Sequence, residues 1–497
     1  MKPRRHSGES RKPEPRLGPV PFLRGYRTGL SPGSKGDDFR RDDAPFVGII
    51  GAGRSGLAAV RFLKRLGAKV FLSDSRKIAG SLPRGIEVES GQHSKRLLDC
   101  ALIIRSPGVP GHLPILEQIR RRGIPICSEL ELGSRWTRAK PMVAITGTNG
   151  KTTSTALVGE FYKASGRKTF VAGNIGLPLS DIACQTTPKS TAVLEVSSYQ
   201  LEDIHSFHPT ISAILNITPD HLEHHGSMQA YAAAKARIFE NQTQNDVCVL
   251  NADDAWCRRL AKRCRAKVFW FSRKKKLRHG IYASPRAGAG PLPKGEGIDR
   301  LGEAEIVLNW NGQHSRWPLK TNLPGPHNVE NILASVAMAV AGGVSMADIR
   351  KVLARFQGVE HRLELVRTLR GVRYVNDSKG TNVDSTRVAL QSFEEPLIVI
   401  MGGEGKGSPY SPLKSLIRKK VKKVLLIGED SGRIERELRG TSPMERRSTL
   451  SNAVPRAATL AEPGDVVLLS PACASFDQYA NYEERGRDFK ALVRKLR

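Results

Sequence analysis

The stretch PMVAITGTNGKTTSTALVGEFYKASG (141–166) decides the architecture. An apolar run reads as a buried strand, GTNG makes a glycine-bracketed loop, and TSTALVGEFYKASG continues as a helix. Strand, glycine loop, Lys, Thr and helix predict a phosphate-cradling P-loop. Glycines let backbone N–H groups approach phosphate oxygens, Lys151 spreads positive charge over the β- and γ-phosphates, and Thr152 can ligate Mg²⁺. The spacing departs from G-x-x-x-x-G-K-[ST], because Ile145 stands where that pattern has glycine. The plain alternative, Lys151 as an ordinary surface lysine, leaves the strand, loop and helix around it unexplained.

Upstream, PFVGII (45–50) is another buried-strand run and passes into GAGRSGLAAVRFLKRLG, with Gly51, Gly53 and Gly56 on the turn. KVFLSD follows and ends in Asp74. A G-x-G-x-x-G between strand and helix, with an acid at the next strand end, predicts a Rossmann-like nucleotide site. NAD, another nucleotide and a merely tight turn all fit it. ALIIRSPGVP (101–110) and IPICSEL (124–130) continue the pattern and close this part of the chain.

Downstream, TAVLEVSSYQL (191–201) and TISAILNI (210–217) extend the strand–helix alternation. Glu195 and the His221 of TPDHLEHHG fall at strand C-termini, on the P-loop side of a parallel sheet, where ligands gather. A solvated Glu195 and a satisfied loop His221 are the bland readings; with a P-loop in the same sheet both become Mg²⁺ candidates. SMQAYAAAKARIFE (227–240) is helical in pattern and carries Lys235. Residues 265–320 show little pattern, and PRAGAGPLPKGEG (285–297) reads as an insertion. From FQGVEHRLELV (356–366) a third α/β unit is expected, with strands at RYVND (373–377), PLIVIMGG (396–403), KVLLIG (423–428) and DVVLLSP (465–471). The fold class is therefore α/β in three domains: a Rossmann-like one over 45–135, a central P-loop ATPase-like parallel-sheet domain over 136–357, and a C-terminal Rossmann-like one over 358–497. Residues 1–44 read as a disordered basic extension.

Length and composition agree with this. The 497 residues have room for about three domains at ~100–200 residues each. Hydrophobic residues at 39% and charged residues at 26% exclude a disordered or membrane-embedded chain. No apolar run approaches the ~18 residues of a membrane span. The seven cysteines are scattered without CxxC pairs, which predicts a reducing cytoplasm. A net charge of +31 makes nucleic acid the first partner to test. The surplus is spread over short clusters, RKKKLR (273–278), RKKVKK (418–423) and the C-terminal RGRDFKALVRKLR, with no interleaved aromatic residues to stack bases. It is read as a solvated basic surface or a field that attracts anionic nucleotides rather than as a nucleic-acid site.

GTNGKTT, GNIG (173–176), LEVSSYQLE (194–202), NITPDHLEHHG (216–226), AAKARIFE (233–240), HNVEN (327–331), EHRLE (360–364), NDSKGTN (376–382) and SPACASFDQY (470–479) follow one another along the chain. In this order they resemble the Mur ligases, over essentially everything from Phe46 to Arg497. GTNGKTT and HNVEN alone would also suit folylpolyglutamate synthetases. NDSKGTN with SPACASFDQY is similar to the D-glutamate-adding members.

The resemblance implies an ATP-dependent amide ligase joining D-glutamate to UDP-N-acetylmuramoyl-L-alanine, cytoplasmic and monomeric. It implies that Gly147, Thr148, Asn149, Gly150, Lys151, Thr152 and Thr153 hold ATP phosphates. Glu195 and Thr152 would bind one Mg²⁺, and His221 and Lys235 a second, with Lys235 as a CO₂-derived carbamate. Lys151, Glu195, His221 and Lys235 would thus be the catalytic set. Asn328 and Asn331 would meet adenine, and Arg362 and Asp377 the ribose and phosphates. Arg54, Ser55, Asp74, Ser75 and the turn of Ser106 and Gly108 would hold the UDP part, so the G-x-G-x-x-G is re-read as a uridine-diphosphate site. Asn174 and Gln200 would reach the sugar and its alanine. Lys379, Thr381, Lys406, Ser475, Phe476 and Tyr482 would surround D-glutamate. Departures from the family pattern are residues 1–44, the insertion, Gly380, the hydroxyl of Tyr482 and the basicity. Rival expectations are a ligase for another amino acid or folate, a nucleic-acid-stimulated ATPase, and a binding module without catalysis.

Overall fold

Five short strands between Val47 and Ser128, four of them buried along their whole length, need cover on both faces, and a parallel sheet wrapped by helices supplies it. The computed structural model describes residues 45–78, 82–285, 304–323, 325–405 and 407–497. In the first unit β1 (Val47–Ile50), β2 (Val70–Asp74), β3 (Glu87–Ser90), β4 (Leu102–Arg105) and β5 (Ile126–Ser128) form an all-parallel sheet in the order β3-β2-β1-β4-β5. The order reverses between β1 and β4, which puts the glycine turn after β1 at the switch point. The helix Arg54–Arg65 lays Ala58, Ala59, Val60, Phe62 and Leu63 on this sheet. The unit runs through Thr137 and takes in two later segments, Leu177–Gln185 and Tyr199–Phe207.

The second unit contains the rest of the chain and two sheets. The larger is built from β6 (Met142–Thr146), β7 (Thr169–Gly173), β8 (Thr191–Glu195), β9 (Ile211–Ile214), β10 (Val247–Asn251), β11 (Lys267–Ser272), β12 (Gly280–Pro285), β13 (Ala304–Trp310) and β14 (Gln313–Pro318). Its order is β14-β13-β12-β11-β10-β9-β6-β8-β7, parallel from β7 to β12 and antiparallel at β12–β13 and β13–β14. The helix Lys151–Ala164 leaves β6 and packs Leu157, Val158 and Phe161 into a core shared with the helix Pro326–Ala341. Phe161 is fully buried, and its truncation to alanine costs roughly 3–5 kcal/mol by the usual scale for a core aromatic.

The smaller sheet holds β15 (Glu364–Leu369), β16 (Val372–Asn376), β17 (Leu397–Gly402), β18 (Val421–Ile427), β19 (Met444–Ser448) and β20 (Val466–Leu469), ordered β15-β16-β20-β17-β18-β19. Only β15–β16 is antiparallel.

The strands expected from apolar runs are present, and the poorly patterned region 265–320 is corrected by the structure. It contributes β11 to β14, a mixed extension of the central sheet. Its last strand, QHSRWP, is half exposed and polar, as an edge strand is, and so lacks the continuous apolar run of a central strand. The rest of the insertion, 286–303, and the extension 1–44 lie outside the described residues.

Candidate active site

The P-loop springs from β6. Ile145 is the fourth residue of that strand, fully buried and paired with Glu195 and Ala213, so the position where the usual pattern has glycine is simply strand here. The turn is made by Gly147 at φ 154° and Gly150 at φ 84°. A Cβ on Gly150 would stand 2.1 Å from Asn331 Oδ1, so position 150 takes no side chain without moving that asparagine. The loop is held from the other side by the Thr148 amide on Asn216 O and the Asn149 amide on Asn216 Oδ1, both at 2.9 Å. Lys151 Nζ donates to Gly147 O at 2.9 Å and Thr148 O at 2.8 Å, folded back along its own loop. Burial lowers its pKa, and the carboxylates of Glu195 and Asp220 oppose that.

Around this loop opens a cavity of about 180 Å³. Of the residues expected from sequence, Thr148 to Thr153, Asn174, Glu195, His221, Arg362, Lys379, Thr381 and Tyr482 line it together. Glu195 ends β8, where its Oε1 accepts from Asn174 Nδ2 at 2.8 Å. Its Oε2 is buried and has no hydrogen-bond partner among the described residues. His221 sits at φ 53° before the one-turn helix Leu222–His225, with Nε2 3.6 Å from Asp220 Oδ2.

Lys235 lies behind the loop on the helix Met228–Ala236, almost fully buried. Its Nζ donates to Gly147 O at 2.9 Å and rests 4.5 Å from the centre of the Tyr231 ring. Burial and then the neighbouring Lys151 charge hold its pKa well below the ordinary lysine value. Asn331 donates to Asn328 Oδ1 at 3.0 Å, and both are buried at the start of the helix Pro326–Ala341. Lys235 and Asn331 lie against the loop, Asn328 holds Asn331, and none of the three is among the residues lining the cavity.

The segment after β16 brings in the other wall. Asp377 is buried, accepts from Ser470 Oγ at 2.8 Å and is pushed up to about 6 by burial against the Arg362 charge. A Cβ on Gly380 would come within 2.5 Å of Asp377 Oδ2, so the departure at 380 coincides with a closely packed carboxylate. Lys379 Nζ donates to Tyr482 OH at 3.2 Å and lies 5.1 Å from the ring centre. Burial lowers the pKa of this ammonium too, against the attraction of Glu195. Ser475 is buried, whereas Phe476 is 69% exposed. Lys406 lies outside the described residues.

Several residues here have no role assigned from sequence, although Asp220 and Asn382 fall within quoted motifs. Asp220, Asn382 and Ser385 line the cavity. Arg485 is fully buried, and its guanidinium donates to Ser378 Oγ and O and to the carbonyls of Cys473 and Ala474 at 2.9–3.2 Å. It thereby ties NDSKGTN to SPACASFDQY, and only its place in space reveals this.

In the first unit, Gly51 has φ 97°, and a Cβ on Gly56, in the first turn of the helix, would meet Gly51 O at 1.9 Å, which explains two of the three glycines; Gly53 has open space where a Cβ would stand. Asp74 accepts from the Ala52 amide at 2.7 Å and the Arg76 amide at 2.8 Å. Burial works against its charge, but these amides outweigh it and hold the carboxyl below its usual range. Ser106 Oγ donates to Gly51 O at 2.9 Å. Arg54, Ser75 and Gly108 are exposed, Ser55 is half-buried and Gln200 is buried. Arg105 is a further residue without a sequence signal: it is buried, donates to Val109 O at 2.6 Å, and pairs with Glu202 at 2.7 Å and with Asp203. That clamps the SPG turn to the segment bearing Gln200.

A P-loop lysine and a buried carboxylate lining one cavity, in a mostly parallel α/β sheet, define a nucleotide-dependent enzyme of the phosphoryl-transfer kind. Family models agree in detail: the Mur ligase middle domain matches residues 145–339, the Mur ligase glutamate ligase domain 361–473, and the Mur ligase MurD-like N-terminal domain 46–128. The chain is 46% identical over 456 residues to the UDP-N-acetylmuramoylalanine–D-glutamate ligase of Koribacter versatilis, covering 90% of this chain and 97% of that one. It is 44% identical over 455 residues to the protein of that name from Acidobacterium capsulatum, covering 90% and 95%. Among solved structures, the UDP-N-acetylmuramate-alanine ligase MurC of Thermotoga maritima aligns with a TM-score of 0.57 at 21% identity, over 90% of this chain and 99% of that one. The chain belongs to the Mur ligase family, and within it groups with the UDP-N-acetylmuramoylalanine–D-glutamate ligases.

Proposed function

We propose that the protein joins D-glutamate to UDP-N-acetylmuramoyl-L-alanine at the expense of ATP, through an acyl phosphate. The observation that carries this reading is the single cavity lined at once by the P-loop residues 148–153 and by Lys379, Thr381 and Tyr482 of the C-terminal segment. Carboxylates resist attack by amines, because their charge repels the nucleophile and oxide leaves poorly. Transfer of the γ-phosphoryl group to the alanyl carboxylate replaces oxide with phosphate as leaving group. The D-glutamate nitrogen then forms the C–N bond as the C–O bond to phosphate breaks, and its surplus proton passes to solvent.

Lys151, released from the carbonyls of Gly147 and Thr148, is the group in reach of the β/γ-phosphates, where charge shifts during transfer. Glu195 Oε2, without a partner among the described residues, and the Thr152 hydroxyl would suit one Mg²⁺. A second would fall to His221, which lines the cavity, with Lys235, which now lies behind the loop and would have to leave Gly147 O. When bound, such ions neutralise charge building up on the transferring phosphoryl group. Lys235 fits the second role only as a carbamate, and its depressed pKa keeps the amine neutral enough to attack CO₂, forming the N–C bond and releasing a proton. Asn328 and Asn331 stand for adenine, and Arg362 and Asp377 for ribose and phosphates. Lys379, Thr381, Lys406, Ser475, Phe476 and Tyr482 stand for D-glutamate. Arg54, Ser55, Asp74, Ser75, Ser106, Gly108, Asn174 and Gln200 stand for the UDP-sugar and its alanine.

No helix among the described residues is long and apolar enough to cross a membrane. On this reading the protein is a cytoplasmic monomer whose basic surface is solvated. The test is phosphate release with UDP-N-acetylmuramoyl-L-alanine, ATP and each candidate amino acid in turn. D-glutamate should support turnover and a new amide; release with L-glutamate or meso-diaminopimelate alone, or release stimulated by RNA without the UDP substrate, would overturn the reading.

A further inference from the structure

The helix Val383–Gln391 begins at the edge of the cavity, capped by Asn382 Oδ1 on the Ser385 amide at 2.7 Å. Its first turn reaches over to the P-loop. Asp384 Oδ2 accepts from Asn149 Nδ2 in a short hydrogen bond, and from Thr218 Oγ1 at 3.1 Å. Ser385 Oγ donates to Asn149 Oδ1 at 3.1 Å, so both ends of the Asn149 amide are held by this helix. Asn382 Nδ2 donates to Asp220 Oδ2 at 3.2 Å, next to His221. The other Asp384 oxygen is paired with Arg387 at 2.6 Å, which balances the charge and fixes the carboxylate. Thr218 in turn is bound to the P-loop, its amide donating to Thr148 Oγ1 at 3.0 Å.

We propose that Asp384 is a positioning residue that locks the phosphate loop and the loop before His221 to the segment carrying Thr381, so that acyl-phosphate formation and amine attack remain coupled. This rests on the ligase reading above. The logic is geometric. Asn149 belongs to the loop where phosphate is transferred, and Thr381 lies three residues before Asp384 on the wall assigned to D-glutamate. A reacting amine displaced by a fraction of an ångström loses much of its advantage over water. Without the lock, phosphoryl transfer to the alanyl carboxylate still occurs, but water more often takes the place of the amine: its oxygen bonds to the acyl carbon, phosphate leaves, and carboxylate and a proton are regenerated. ATP is then spent without an amide.

The experiment measures ADP formed and amide formed in the same reaction, with UDP-N-acetylmuramoyl-L-alanine, ATP and D-glutamate all saturating. Wild-type protein should give a ratio near unity. Asp384→Ala should raise the ratio by roughly threefold or more, while Asp384→Asn, which still offers an oxygen to Asn149 and Thr218, should stay near wild type. Asp384→Asn also loses the ion pair with Arg387, so any rise in its ratio should stay well below that of Asp384→Ala. Ser385→Ala removes only the second hold on Asn149 and should likewise raise the ratio less; it decides the matter if Asp384→Ala does not fold. A ratio that stays at unity in Asp384→Ala, or in Ser385→Ala where the former is unfolded, overturns the proposal. A wild-type protein that makes ADP but no amide would instead overturn the ligase reading.

Discussion

Lys151 and Lys235 donate to the same acceptor, the carbonyl of Gly147, each at 2.9 Å. Two ammonium groups sharing one carbonyl in a buried place is an arrangement that favours loss of one charge, and Lys235 is the more depressed of the two, pushed down first by burial and then by Lys151. Lys235→Ala should therefore lower ligation by roughly 10²–10³-fold or more. In wild-type protein incubated with ¹³C-bicarbonate, a carbamate carbon resonance should appear that Lys235→Ala lacks. Wild-type turnover in that variant would remove Lys235 from the site.

Lys151→Ala should also lose at least about 10²-fold in kcat, because a cation at the transferring phosphoryl group acts mainly in the transition state. Thermal unfolding of the free variant should change little, since its two hydrogen bonds go to loop carbonyls that water can take over. Steady-state kinetics with a melting curve check both halves.

Tyr482→Phe deletes the oxygen that accepts from Lys379 and leaves the ring. One such hydrogen bond is worth about 1 kcal/mol net, so the KM for D-glutamate should rise roughly fivefold. The KM for ATP should be unchanged. Equal effects on both would show that the hydroxyl serves the whole cleft and not the amino-acid end.

Glu129 supplies a pH test in the first unit. It is fully buried, its Oε1 accepts from the Ser180 amide at 2.6 Å, and burial raises its pKa to about 6. A carboxyl raised in the folded state favours folding fully below its unfolded value near 4.5 and loses that contribution as pH rises through about 6. Ionised Glu129 thus costs on the order of 2 kcal/mol at neutral pH. Glu129→Gln keeps an oxygen for Ser180 and should melt higher than wild type at pH 8, with the gap closing near pH 4.5. A gap independent of pH would show that Glu129 is not the titrating group.

Much of the chemistry was legible in residue order, because phosphate binding is a backbone device and announces itself through glycine and lysine spacing. Even the irregular Ile145 was harmless, since the strand extends that far before turning. Lys235 was marked by AAKARIFE and the resemblance, but nothing in that string places it behind the loop on Gly147 O, since a lysine on an alanine-rich helix usually faces solvent. Asn382 followed by Asp384 reads as a helix start, but nothing in the string says that the first turn faces Asn149 across more than two hundred residues of chain. Arg485 and Arg105 were illegible for the same reason: a buried guanidinium is defined by the carbonyls and carboxylates that surround it. Of the strands β11 to β14 only β14, at the edge, was hidden by its polarity; the inner three are largely buried.

Pro285 and Ala304 are direct partners in the antiparallel ladder of β12 and β13. The ends of β12 and β13 thus already stand in the register that a two-residue turn would join. The same point is a natural socket for a reporter or an affinity handle, in the half of the central sheet away from β7 and just inside its edge strand β14.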